Sequence, residues 1–220
     1  MNTAGFSKIE QVFLERSGRK RMTTKMPYVI VDNFPGLGLL TSLRFLEWVA
    51  ENPEGVISLP TGKTPEYFIK WTKYLLDNWD RPEARKIRED NGLFLKDKPS
   101  LRGLYFVQID EFYPINPKQH NSFFDYVSKY YIEGFNLDPQ KALLINSEEI
   151  TLAEGKHFSE VFPDNTIDLT LRNREAGNRL EKLQQDSLFR IDNWCTGYEK
   201  RIRALGGIGF FLGGIGPDGH

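Results

Sequence analysis

The strongest constraint in this chain is a unit repeated along it: a short, wholly apolar run, a polar turn, then a segment with apolar residues at helical spacing. EGVISLP (54–60) leads through TGKT into PEYFIKWTKYLLDNW (65–79), with Pro65 in the helix's first turn, where a missing N–H costs nothing. LYFVQID (104–110) precedes SFFDYVSKYYI (122–132), and KALLI (141–145) reads as a further strand. YEKRIRALGG (198–207) reads as a helix end with Gly206 near its cap, followed by the strand IGFFLGG (208–214). Ahead of these, PYVIVDNF (27–34) reads as a strand. PGLGLLTSLRFLEWVAEN (35–52) reads as a helix starting after its Pro/Gly punctuation, with Leu40, Leu43, Phe45, Leu46 and Val49 on one face. Strands without polar alternation are buried on both faces, which occurs almost only in parallel sheets covered by helices. The expectation is an α/β fold with an open, mostly parallel sheet and helices on both faces.

With 220 residues, 40% of them hydrophobic, the chain can bury one sizeable core, so a single domain over 1–220 is expected. Two stretches interrupt the pattern: 80–103, charged and broken up, and 146–192, polar and partly helical. The net charge of −1, from 29 basic and 30 acidic residues, supports neither nucleic acid nor a membrane surface as partner. MNTAGFSKIEQVFLERSGRKRM lacks the uninterrupted apolar stretch of a secretory signal. It reads as an amphipathic helix carrying Phe6, Ile9, Phe13 and Leu14, and no apolar run is long enough to span a membrane. Cys195 is the single cysteine, which excludes an internal disulfide and fits a reducing, cytoplasmic compartment. With Trp194 and Tyr198 it reads as core packing. His120, His157 and His220 show no metal-ligand spacing, so no metal is expected.

Ligands of such sheets bind beyond the carboxyl ends of the strands, and three polar loops lie at such ends. PTGKT joins a strand to a helix N-terminus, where backbone N–H groups and the helix dipole favour an anion. The nucleotide P-loop signature needs a glycine five residues before the one in GKT; Ile57 stands there, so simple phosphate binding is the better reading. DEF follows the next strand, where Asp110 could serve as a general base of raised pKa, and Asp110 or Glu111 could equally cap a turn before Pro114. His120, in a Pro/Asn-rich loop, reads as a surface histidine. The last loop, GPDGH, could set the Asp218 carboxylate against the His220 imidazole.

Taken together, ISLPTGKTPEYF, VQIDEFYPINPKQHNSFFDYV and GYEKRIRALGGIGFFLGGIGPDGH, in that order, resemble the glucosamine-6-phosphate deaminase (isomerase) family. That family shares its fold with 6-phosphogluconolactonases, so the resemblance implies a Rossmann-like sheet. An aromatic residue after DE marks the deaminase branch, where lactonases usually carry arginine, and Phe112 follows Glu111 here. The stretches 80–103 and 146–192 look like insertions relative to the family. By resemblance, Thr61, Gly62, Lys63 and Thr64 hold the sugar phosphate, although the family has a small residue where Lys63 stands. Asp110 matches the base that moves a proton between C2 and C1, and Asp218 and His220 match the pair that assists ring opening. The family's third member of that group is a glutamate five residues beyond His220, so the chain is expected to be incomplete at its C-terminus and, taken alone, to show little catalysis. The implied activity converts glucosamine 6-phosphate to fructose 6-phosphate and ammonia in cytoplasmic carbohydrate metabolism, with no cofactor; alternatives are a lactonase-like hydrolase and a non-catalytic sugar-phosphate sensor. The implied partner is the phosphorylated amino sugar, and a homo-oligomer is compatible with the resemblance.

Overall fold

In the computed structural model of the chain, residues 5–19 and 25–215 are described. Four strands, β1 (Val56–Ser58), β2 (Tyr105–Val107), β3 (Ala142–Leu143) and β4 (Phe210–Phe211), form one sheet in the order β3-β2-β1-β4. Every pairing is parallel, with Ile57 opposite both Phe106 and Phe210. The α/β expectation therefore holds. The strands are shorter than the apolar runs that encode them, although single backbone bonds continue past their ends, as from Leu212 N to Ser58 O (3.0 Å) and from Gln108 N to Leu143 O (3.0 Å).

Side chains leave the sheet alternately. Ile57, Leu59 and Phe106 enter the main core, built with helices α2 (Phe34–Glu51) and α3 (Glu66–Asp77) and with α5 (Phe123–Val127) and the turn after it. Val56, Tyr105 and Val107 face the other way, onto Tyr198, Trp194 and Ile202 of α7 (Arg179–Ala204). Both faces thus carry helices. The α2–α3 contact is close because Gly38 lacks a side chain: a Cβ there would lie 2.4 Å from that of Tyr67. Thr72 Oγ1 donates to Ser42 Oγ across the same contact at 3.0 Å, so the two buried hydroxyls satisfy each other.

The first helix, α1 (Lys8–Ser17), forms as read, with a Ser7/Glu10 capping box and the fully buried Ile9. Two readings of the N-terminal third are corrected. Residues 27–34 form no strand among the described residues: the run is apolar because Val29 and Val31 pack on the core, and it takes no place in the four-stranded sheet. The next helix begins one residue before the Pro/Gly group, since Asn33 caps it by accepting from Gly36 N (2.8 Å) and Pro35 sits in its first turn.

The charged stretch 80–103 contains α4 (Pro82–Asp90), keyed into the core by Arg88, which donates to Trp79 O (2.8 Å) and lies over that ring. After α5 the chain continues as a π-helical turn, Ser128–Glu133. The stretch 146–192 builds its own small core. Tight helical turns, α6 (Phe158–Val161) and the first half of α7 bring together Leu152, Val161, Phe162, Leu171 and Leu188. Helix α7 ends at Ala204 with Leu205 as its cap, and Gly206, read from the sequence as lying near the cap, follows with Gly207, both at positive φ. Cys195 is corrected: Trp194 and Tyr198 stack against the sheet, and Cys195 faces solvent.

Candidate active site

The strand order reverses between β1 and β4, the position outside whose carboxyl ends open α/β sheets bind ligands. Thr64, in the loop after β1, lies against the loop after β4: a Cβ on Gly214 would be 2.9 Å from Thr64 Cγ2. A small cavity of about 130 Å³ opens beside them, lined by Leu37, Thr41, Pro60, Thr64, Tyr67 and Leu212. A wider cleft of about 420 Å³, lined by residues such as Lys73, Lys98, Arg102 and Glu133, includes the loop that enters β2 rather than the loops that leave the strands. None of the candidate residues lines it, so the chemistry is sought at the carboxyl ends.

The loop after β1 carries Thr61, Gly62, Lys63 and Thr64 ahead of α3. Gly62 has φ +82°, a conformation that favours glycine. None of the four backbone N–H groups donates to a described residue, and the Lys63 ammonium, exposed, has no partner among them. The carbonyls, by contrast, are held. Tyr131 Oη donates to Pro60 O (2.5 Å) and Tyr126 Oη donates to Gly62 O (2.8 Å). Neither tyrosine was singled out from the sequence, where SFFDYVSKYYI reads only as an apolar helix. Burial raises the pKa of both phenols, Tyr126 to about 12, so both remain donors at neutral pH.

Asp110 lies just past β2, the neighbour of β1. It is exposed, and its carboxylate accepts no hydrogen bond from a described residue. Partial desolvation, with the Glu111 charge second, raises its pKa above the usual aspartate value. Its backbone is fixed by Gln108, fully inside the strand end: Gln108 Nε2 donates to Asp110 O (2.9 Å), and its Oε1 accepts from Ile145 N at the end of β3 (2.9 Å). Tyr198 Oη donates to Gln108 O (2.7 Å), tying the same point to α7. The one polar residue within an otherwise apolar strand run was the available signal for Gln108.

Glu111 has a different task from its neighbour. Its Oε1 accepts from Phe112 N (2.9 Å) and Phe123 N (3.1 Å), and its Oε2 from Ser122 Oγ (2.8 Å) and Phe124 N (2.7 Å). The carboxylate thereby anchors the start of α5 rather than only a turn before Pro114, where the sequence places a cap by one of the two acids. His120 is exposed, as read. The loop is also braced from 146–192: Tyr113 Oη donates to Ile150 O (3.1 Å), its ring packs edge-on against Phe158, and Ser147 Oγ donates to Ile115 O. Asp218 and His220 lie outside the described residues.

The described residues hold no group of three His, Cys, Asp or Glu side chains arranged for a metal ion, and no described helix is long and apolar enough to cross a membrane.

No family model matches the chain. Curated relatives match over short stretches. A glucosamine-6-phosphate deaminase of Borrelia hermsii (strain HS1 / DAH) is 60% identical over 30 residues, 14% of this chain and 11% of that protein. One from Parabacteroides distasonis is 65% identical over 26 residues, 12% of this chain and 10% of that protein. Among solved structures, a monomeric glucosamine-6-phosphate deaminase, described as a missing link of the NagB superfamily, superposes with a TM-score of 0.55 at 18% identity. That match covers 86% of this chain and 55% of the other, so the chain spans about half the length of its structural neighbour. By sequence over a short stretch and by fold over most of its length, the chain resembles the glucosamine-6-phosphate deaminase family.

Proposed function

We propose that the protein is an amino-sugar phosphate deaminase-isomerase that converts glucosamine 6-phosphate and water to fructose 6-phosphate and ammonia. The observation that carries this reading is a pairing at adjacent strand ends. Asp110, a carboxylate of raised pKa with no partner among the described residues, stands one strand away from a loop whose four N–H groups and one ammonium likewise find no partner among them. The first suits a proton acceptor and the second an anion, and the proposed substrate presents both an acidic C–H and a phosphate.

The chemistry follows from those roles. The sugar opens to its aldehyde, and the C1 carbonyl acidifies the C2 proton. Asp110 takes that proton and returns it at C1, leaving an imine at C2 that water hydrolyses to the ketone and ammonia. The loop of Thr61, Gly62, Lys63 and Thr64 anchors the phosphate, which holds C2 within reach of the carboxylate. By resemblance, Asp218 and His220 assist ring opening. None of these steps calls for a redox cofactor or a metal. The composition and the single cysteine fit a cytoplasmic setting in carbohydrate metabolism.

The test is Asp110→Asn in the full-length protein, with ammonia release from glucosamine 6-phosphate as readout. Turnover should fall by at least ~100-fold, the scale of a lost general base. The unfolding temperature at pH 7 should hold or rise, because a desolvated charge has been removed from the fold. Unchanged ammonia release would remove Asp110 as the base. Lactone hydrolysis in place of ammonia release would assign the lactonase branch instead.

A further inference from the structure

The geometry points to Tyr126 and Tyr131 as positioning residues that aim the N–H groups of the loop after β1 at the substrate's anionic group. The inference rests on the functional reading above and specifies what keeps its phosphate loop in a binding conformation.

A trans peptide unit is planar, with its C=O and N–H pointing in opposite directions. Tyr131 draws the Pro60 carbonyl towards the α5 side, so the Thr61 N–H points away from that side. Tyr126 does the same to the Gly62 carbonyl, so the Lys63 N–H also points away. The two N–H groups that the hydroxyls orient are among the four that find no partner in the described residues. The backbone can follow this alternation because Gly62 takes a positive φ. Without the hydroxyls, each peptide plane would be free to rotate and turn its carbonyl, rather than its N–H, to the ligand.

The π-helical turn explains how one short element supplies both donors. Residues five apart on an α-helix are separated by about 140° around the axis. In a turn of i→i+5 type they come round to the same side. Tyr126 precedes the turn Ser128–Glu133 and Tyr131 lies within it, and both reach the same loop. Tyr131 is fully buried and Tyr126 partly so, and their rings pack edge to face at 6.1 Å. Tyr130, its ring tilted against Tyr126 at 4.6 Å, makes no bond to the loop and provides a control on the same element.

The experiment is steady-state kinetics of full-length Tyr126→Phe on glucosamine 6-phosphate, with inorganic phosphate as competitor. KM and the phosphate inhibition constant should rise together by roughly three- to tenfold, the worth of one hydrogen bond. kcat should stay within about twofold of the parent, since proton transfer at Asp110 is untouched. Tyr130→Phe should change neither constant. Tyr131→Phe should move both constants in the same direction and also lower the unfolding temperature, because it leaves the Pro60 carbonyl unpaired. If the parent turns over substrate and is inhibited by phosphate but Tyr126→Phe matches it in both constants, the positioning role is overturned while the proposed function stands. Equal losses in Tyr126→Phe and Tyr130→Phe would overturn it too, by showing a general packing effect. A parent protein with neither turnover nor phosphate binding would overturn both.

Discussion

Two adjacent acids at the end of β2 do different work, and their surroundings explain why. Asp110 has no partner among the described residues, and its carboxylate stays available; Glu111 is saturated by four donors from its own loop and α5. Replacing Glu111 with Gln puts an amide N–H₂ against Ser122 Oγ or Phe124 N, where an acceptor is needed. We expect a loss of about 1–2 kcal/mol in unfolding free energy, read from urea denaturation with an unchanged slope. The type DE was legible as chemistry, but the division of labour was not. Which acid faces solvent depends on where α5 begins in space, twelve residues later in the chain, at Phe123.

At the scale of elements, the sheet depends on how closely α2 and α3 approach behind β1. Gly38 was read only as punctuation before a helix, yet it lies inside α2 at the crossing. Alanine is the better helix former, so propensity alone predicts that Gly38→Ala stabilises. The contact predicts the reverse: the new Cβ would lie 2.6 Å from Tyr67 C and 2.8 Å from Phe68 N, which are backbone atoms and cannot swing aside. The variant should lose about 1–3 kcal/mol, the range of overpacked interiors, with calorimetry as the check. Because Phe68 starts the buried face of the helix that follows the loop after β1, the same change should also weaken binding by the phosphate site proposed there.

At the scale of the molecule the described residues pack into a main core on one face of the sheet, a small cluster between its other face and α7, and the separate cluster of 146–192 against α7. The last is tied at the surface by Arg174, which bonds Asp168 (2.9 Å) and Glu181 (2.8 Å). Hydrogen bonds from Thr170 and then Arg174 hold Asp168 at about 2, below its usual 3.8. Arg174 first and the Gly177 N–H second hold Glu181 at about 2, below its usual 4.5. A depressed acid adds stability above its unfolded pKa and loses it as pH falls through the folded one. Protection of this region against hydrogen exchange should therefore decline between pH 4.5 and about 2. Both carboxylates are partly exposed, so high salt should weaken the dependence, and Arg174→Gln should reduce it, leaving the part of the Asp168 shift that comes from Thr170. A decline that persists unchanged in Arg174→Gln would place the acid sensitivity elsewhere.

The sequence by itself determined the α/β class, because continuous apolar strands between amphipathic helices can be buried only in a covered parallel sheet. It also located the loops after β1 and β2, since glycine, proline and acids break apolar periodicity wherever they occur; GPDGH (216–220) lies outside the described residues. What it left to the tertiary structure were contacts between distant residues. Val29 and Val31 look like a strand but only pack; Cys195 sits among core residues yet turns outward; Tyr126 and Tyr131 look like helix filling yet hold the loop after β1. Periodicity reports whether a side chain is buried, and burial is the same whether a neighbour is a ladder partner, a core contact or the carbonyl of a loop some 70 residues earlier, as for Tyr131 and Pro60. Only the fold decides which of these it meets.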